Sequence, residues 1–177
     1  MEVATMLPVR SPENKQAGIT LIEILVTMII LAIGLLGLAG LMMDGLKNNQ
    51  SAYLRTQASI LAYDMSDRIR INRDRAIAGD YDGYSTSGEG GFTNLPACVT
   101  NAAGCSAADQ VNQDLAEWTR EIQGVGGTAL LPDGEGSITR GGGNLFTITV
   151  GWQETLWDEE SDARVSDLQQ FAVEFSL

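Results

Sequence analysis

The chain has 177 residues, 23 acidic against 11 basic, a formal charge of −12 and no histidine. That balance repels nucleic-acid phosphates, so no nucleic-acid partner is expected, and the missing histidine excludes Ser-His-Asp and Cys-His catalysis and His-based zinc sites. With 20 glycines and 6% aromatics, any folded domain has a modest core and long loops, and no enzymatic role, cofactor or metal is expected.

The first informative segment runs from Ile19 to Met43, 25 residues with Glu23 as their only charge. At about 1.5 Å per residue it exceeds a hydrocarbon core of about 30 Å, which predicts a transmembrane helix. A secretory signal peptide is the rival, but its apolar region is shorter and ends at a small-residue cleavage motif. Arg10 and Lys15 precede the span and Asp44 follows it, so the positive-inside rule places residues 1–18 in the cytoplasm and the rest outside. Glu23 is the anomaly, because a carboxylate near one end of an apolar helix costs a few kcal/mol unless it is paired or reaches the interface. One alternative is that it only snorkels to the headgroups.

Glu23 ends the string Ala17-Gly18-Ile19-Thr20-Leu21-Ile22-Glu23, preceded by Lys15 and followed by the apolar run. The string resembles the class III signal of type IV prepilins and pseudopilins. The resemblance implies that a prepilin peptidase cuts after Gly18 and that the new N-terminus, Ile19, is methylated. It also implies that Glu23 pairs with the N-terminal ammonium of a neighbouring subunit during assembly, which would give a buried charge its partner. Ile19 departs from the phenylalanine usual at the first mature position. The 18-residue leader is long for the family, which makes Met6 an alternative start.

Beyond Asp44 the helix is expected to continue to Ala78 as an amphipathic segment, residues 44–78. Leu54, Ala58, Leu61, Met65, Ile69 and Ala76 follow steps of three and four, with Arg55, Asp64, Asp67, Arg68, Arg70 and Arg73 opposite. Gly34, Gly37 and Gly40 share one flank of the membrane half, where they permit close helix approach or local melting, or reflect ordinary glycine enrichment. Residues 79–177 form the periplasmic region. Its first part, Gly79 to Ser106, is rich in Gly, Ser, Asp, Tyr and Asn and predicts a long loop. Asp80, Asp82 and Glu89 there do not fit an EF-hand, and a solvated acidic loop is expected. Cys98 and Cys105, with six residues between them, suit a short disulfide-closed loop and then an oxidising compartment, the alternative being free thiols in a cytosolic loop.

Ser106 and Asp109 resemble a capping box, and Val111, Leu115, Trp118 and Ile122 form the stripe of a second helix over residues 107–123. Glu117 and Glu121, one turn apart on it, are taken as surface residues. Gly124, Gly126 and Gly127 end the helix. Alternation then predicts a strand from Asn144 to Trp152 with neighbours near Gly136 to Arg140 and Leu168 to Phe175, joined by Gly141-Gly142-Gly143 and by the solvated acidic cluster Asp158, Glu159, Glu160 and Asp162. The expected class is α+β, the type IV pilin fold: a long N-terminal helix packed on a small antiparallel sheet.

Within the prepilin-like class, Ile30 to Gly40, the helix positions Leu61, Met65, Arg68 and Asn72, and the strand Phe146 to Trp152 followed by Gln-Glu resemble the PilV minor pilins. The resemblance implies a low-abundance subunit that joins other minor pilins and the major pilin, after residence in inner-membrane lipid, to prime a type IV pilus. Twitching motility and adhesion would follow from the filament. The same N-terminal signal serves minor pseudopilins of type II secretion systems, which is the second hypothesis.

Overall fold

A computed structural model describes residues 18–87, 93–127, 129–158 and 163–177. Arg10, Lys15, Glu89, Glu159, Glu160 and Asp162 lie outside the described residues, as does the rest of the leader before Gly18. The elements are α1 (Leu21–Ile71), α2 (Arg73–Ala78), α3 (Ala107–Gln123), β1 (Glu135–Arg140), β2 (Leu145–Asp158) and β3 (Ala163–Ser176). They form the expected α+β arrangement, a long N-terminal helix packed on a three-stranded antiparallel sheet of order β1-β2-β3.

The chain divides into two compact units, Met1–Gly45 and Leu46–Leu177. In the first, every described residue is exposed. In the second, the six apolar positions at helical spacing, Leu54, Ala58, Leu61, Met65, Ile69 and Ala76, are all buried. They meet Val111, Leu115, Trp118 and Ile122 of α3 and Ile138, Phe146, Ile148 and Val150 of the sheet in one core. Alternation on β2 explains the sheet's contribution, because Phe146, Ile148, Val150 and Trp152 face inward.

The expected unbroken helix to Ala78 is interrupted at Asn72, which leaves helical geometry at φ −97°, ψ 49° before α2 begins. The Asn72 side-chain amide donates to Ala107 O (2.8 Å) and to the Tyr81 hydroxyl (3.3 Å), which ties the break to the start of α3 and to the following loop. Gly79, at φ 97°, then closes α2 in the left-handed conformation.

α3 matches its expected span because both ends are capped. Asp109 N donates to Ser106 Oγ at 3.2 Å, and Gly124 at φ 71° directs its N–H to Arg120 O. β2 and β3 run longer than the apolar alternation indicates. Their far halves, Gln153–Asp158 against Ala163–Leu168, stay in continuous antiparallel register. Asp158, expected in the turn, is the last residue of β2. The expected loop after Gly79 also contributes to the core, since Tyr81 and Tyr84 are buried and Ser85 bridges to Ser137 beside β1.

Candidate functional site

The N-terminal residues are placed by local forces. Gly18, Ile19 and Thr20 precede α1 in non-helical conformation. Thr20 begins the helix: its carbonyl accepts from Glu23 N (3.1 Å) and Ile24 N (3.3 Å), and its hydroxyl from Glu23 N (3.4 Å). This is half of a capping box, with Glu23 in the first turn, where a carboxylate complements the helix dipole. Thr20 was not recognised from the sequence, although Thr-x-x-Glu before an apolar run is its signature. Glu23 therefore has a local role as a helix-start residue in addition to any intermolecular one.

Among the described residues nothing requires glycine at position 18, because a Cβ placed there meets none of them within 4 Å. The same holds for Gly34, Gly37 and Gly40. Ile19 is 71% exposed, and all large apolar side chains of α1 from Leu21 to Leu46 are likewise exposed. α1 is long and apolar enough to cross a membrane.

The second cluster binds α1 to α3. The Arg68 guanidinium bonds Asp64 at 2.6 Å and Glu117 at 2.5 Å, with Asp114 at 3.7 Å and Glu121 at 3.8 Å. Asp114 is buried and accepts from the Tyr81 hydroxyl at 2.6 Å and from Gln110 Nε2 at 3.0 Å. Glu117, expected on the surface, is thus an ion-pair partner; the sequence periodicity placed it on the polar flank of α3 but not against Arg68. Burial pushes the Glu117 carboxyl up, but bonds from Arg68 and Gln113 outweigh burial and hold it below the ordinary range. Burial pushes Glu121 up, and Arg68 opposes this only in part.

A depressed Glu117 contributes stability above its unfolded pKa, and that contribution is lost as the pH falls through the folded value. The raised Glu121 costs stability at neutral pH, and the cost is relieved as the pH falls through its folded value. Glu121→Gln should therefore raise stability near neutrality and flatten its rise on mild acidification, and Glu117→Gln should remove part of the loss at lower pH. Melting temperatures across pH 3 to 8 test both. Arg68→Ala, which leaves several carboxylates without their cation, should cost about 1–3 kcal/mol.

Cys98, in a 3₁₀ turn Ala97–Thr100, is joined by a disulfide to Cys105, next to the cap of α3. Closing so short a loop is worth about 2 kcal/mol in chain entropy, so the double serine variant should melt at a lower temperature by a corresponding amount. Among the acidic loop residues, Asp80 pairs with Arg75 at 2.5 Å and Asp82 accepts from Arg140 N at 2.8 Å, so both are engaged within the fold.

Comparison with known proteins places one segment. Residues 14–39 match the family model described as the prokaryotic N-terminal methylation motif. No curated protein and no solved structure matches the chain. The matched segment holds Gly18, Ile19 and Glu23, so the chain carries the N-terminal signal of type IV pilin-like and pseudopilin proteins at the head of a helix with the composition of a single membrane anchor.

Proposed function

We propose that this chain is a minor pilin of the PilV kind, a non-enzymatic subunit that takes part in priming type IV pilus assembly. A prepilin peptidase cuts after Gly18, Ile19 becomes the methylated N-terminus, and residues 19–43 hold the precursor in the inner membrane with the leader cytoplasmic and residues 44–177 periplasmic. Other minor pilins and the major pilin then replace lipid around the apolar helix, and the subunit reaches the cell surface.

One observation carries this reading: the methylation motif heads a helix that is apolar and exposed over its first half, while its second half supplies the core of an α+β domain. An exposed apolar rod needs lipid or like helices around it. A carboxylate such as Glu23 on such a rod gains most from a cation fixed at the same depth, which the ammonium of a neighbouring Ile19 would provide. The Cys98–Cys105 disulfide favours the periplasm for the domain.

Glu23→Ala should leave cleavage intact and strongly reduce co-purification with other pilins, whereas unchanged co-purification would remove the pairing role. Deletion of the gene separates the two filament classes. Loss of surface pili and twitching supports the pilus assignment, and loss of exoprotein secretion with intact pili assigns the chain to a type II system instead.

A further inference from the structure

The two edges of the sheet are treated differently. Gly141 N donates to Leu145 O and Gln153 N to Pro132 O, so odd-numbered residues of β2 bond toward β1; Leu177 N donates to Asn144 O, so even-numbered residues bond toward β3. On β1, the outward groups are Gly136 and Ile138, and residues 83–86 occupy them. Gly83 N donates to Ile138 O, Thr86 N to Gly136 O, and Ile138 N to Tyr84 O.

On β3 the same register turns the backbone of Ser166, Leu168, Gln170, Ala172 and Glu174 outward, and no described segment pairs with them. β3 pairs residue for residue with β2 from Ala163 to Ser176, with no bulge or proline, so Arg164, Asp167 and Glu174 are the only edge-blunting features it carries. Beside it, α1 leaves an apolar face open: Tyr53, Ile60 and Tyr63 are 54%, 55% and 54% exposed, and the Tyr63 ring lies 6.2 Å from that of half-buried Phe171.

We propose that β3 accepts an extended segment of another polypeptide as a fourth strand, with alternate apolar side chains over Tyr63 and Phe171 and a net basic charge. Strand addition would satisfy the outward amides and carbonyls while apolar side chains cover the helix face. The basic character follows from charge. β3 carries Asp167 and Glu174 against Arg164 on a chain of charge −12, and the nearby cation Arg70 is already paired with Asp67 at 3.0 Å and stacked on Phe175. A second copy brings the same acidic strand and another −12, which disfavours it as the occupant. The β3 edge and the α1 face beside it are independent of cleavage at Gly18.

The probe is a short synthetic peptide alternating valine with lysine and threonine, titrated by fluorescence anisotropy into the full chain in non-ionic detergent. Saturable binding is expected, with slowed amide exchange at Gln170, Ala172 and Glu174. Ala172→Pro deletes an outward N–H without breaking a bond to β2, so it should weaken binding by about tenfold or more at an unchanged melting temperature. Should that variant fail to fold, the wild-type chain must discriminate by a similar factor against the same peptide N-methylated along its pairing edge. Absence of saturable binding, equal binding to Ala172→Pro, or equal binding of the N-methylated peptide overturns the edge as a docking site. Equal binding of a glutamate-for-lysine peptide overturns the basic partner, and self-association abolished by Ala172→Pro makes a second copy the occupant.

Discussion

Trp118→Ala is expected to destabilise the domain by about 3–5 kcal/mol, the largest loss from any single truncation in its core. Trp118 is fully buried on α3, its indole N–H donates to Leu61 O of α1 at 3.0 Å, and its ring lies 6.5 Å from that of Tyr84. On the sheet side, Gly136 of β1 clears the space it fills: a Cβ at that position would come within 2.6 Å of the Trp118 ring and 2.7 Å of Ile122. One side chain thus touches α1, β1 and the segment after α2, so its removal opens a cavity that no single neighbour can fill. Against a total of about 5–15 kcal/mol for an ordinary domain, the variant should melt some 10 °C or more below the wild type. Trp118→Phe, which keeps most of the volume and loses the hydrogen bond, should fall between the two. A shift of only a few degrees for alanine, followed by circular dichroism in detergent, would show that the helix–sheet junction is not centred on this residue.

That junction also marks where the sequence was legible. The stripe from Leu54 to Ala76, the α3 stripe with its Ser106 cap and the alternation from Phe146 to Trp152 each depend on neighbours a few residues apart, and all three were visible in the periodicity. Contacts between distant segments were not. Arg68 looked like one charge among six on a polar face, and only the packing of α3 against α1 brings it to Glu117 and Asp114. Tyr81 and Tyr84 sat in a stretch whose composition indicates a solvated loop, yet Asp114 and Thr119 on α3 accept or share their hydroxyl bonds and draw them into the core. The bond that ties the break at Asn72 to α3 likewise reaches Ala107, 35 residues away. At the N-terminus the situation is reversed. The motif was plain in the sequence, and the fold adds the Thr20 cap and the absence of any steric demand for Gly18.

The absence of that demand makes Gly18 the position at which folding and the proposed processing separate most cleanly. Position 18 lies outside every helix and strand, and a Cβ there meets nothing among the described residues within 4 Å, so Gly18→Val should leave the melting temperature of the domain unchanged. A peptidase that binds this bond closely reads the two hydrogens of glycine directly. Each added methyl group in such a subsite is worth about 1–3 kcal/mol of discrimination, or about 10- to 200-fold in rate. Gly18→Ala should accordingly slow maturation and Gly18→Val abolish it, with the full-length precursor accumulating in the membrane fraction and no Ile19 N-terminus detectable by mass spectrometry. Glu23→Ala serves as the contrast, because its side chain lies five residues beyond the bond and its loss should leave cleavage in place. A shortened form of the chain persisting in the valine variant at wild-type abundance would place the processed bond elsewhere and dissociate Glu23 from any role tied to the position of a new N-terminus.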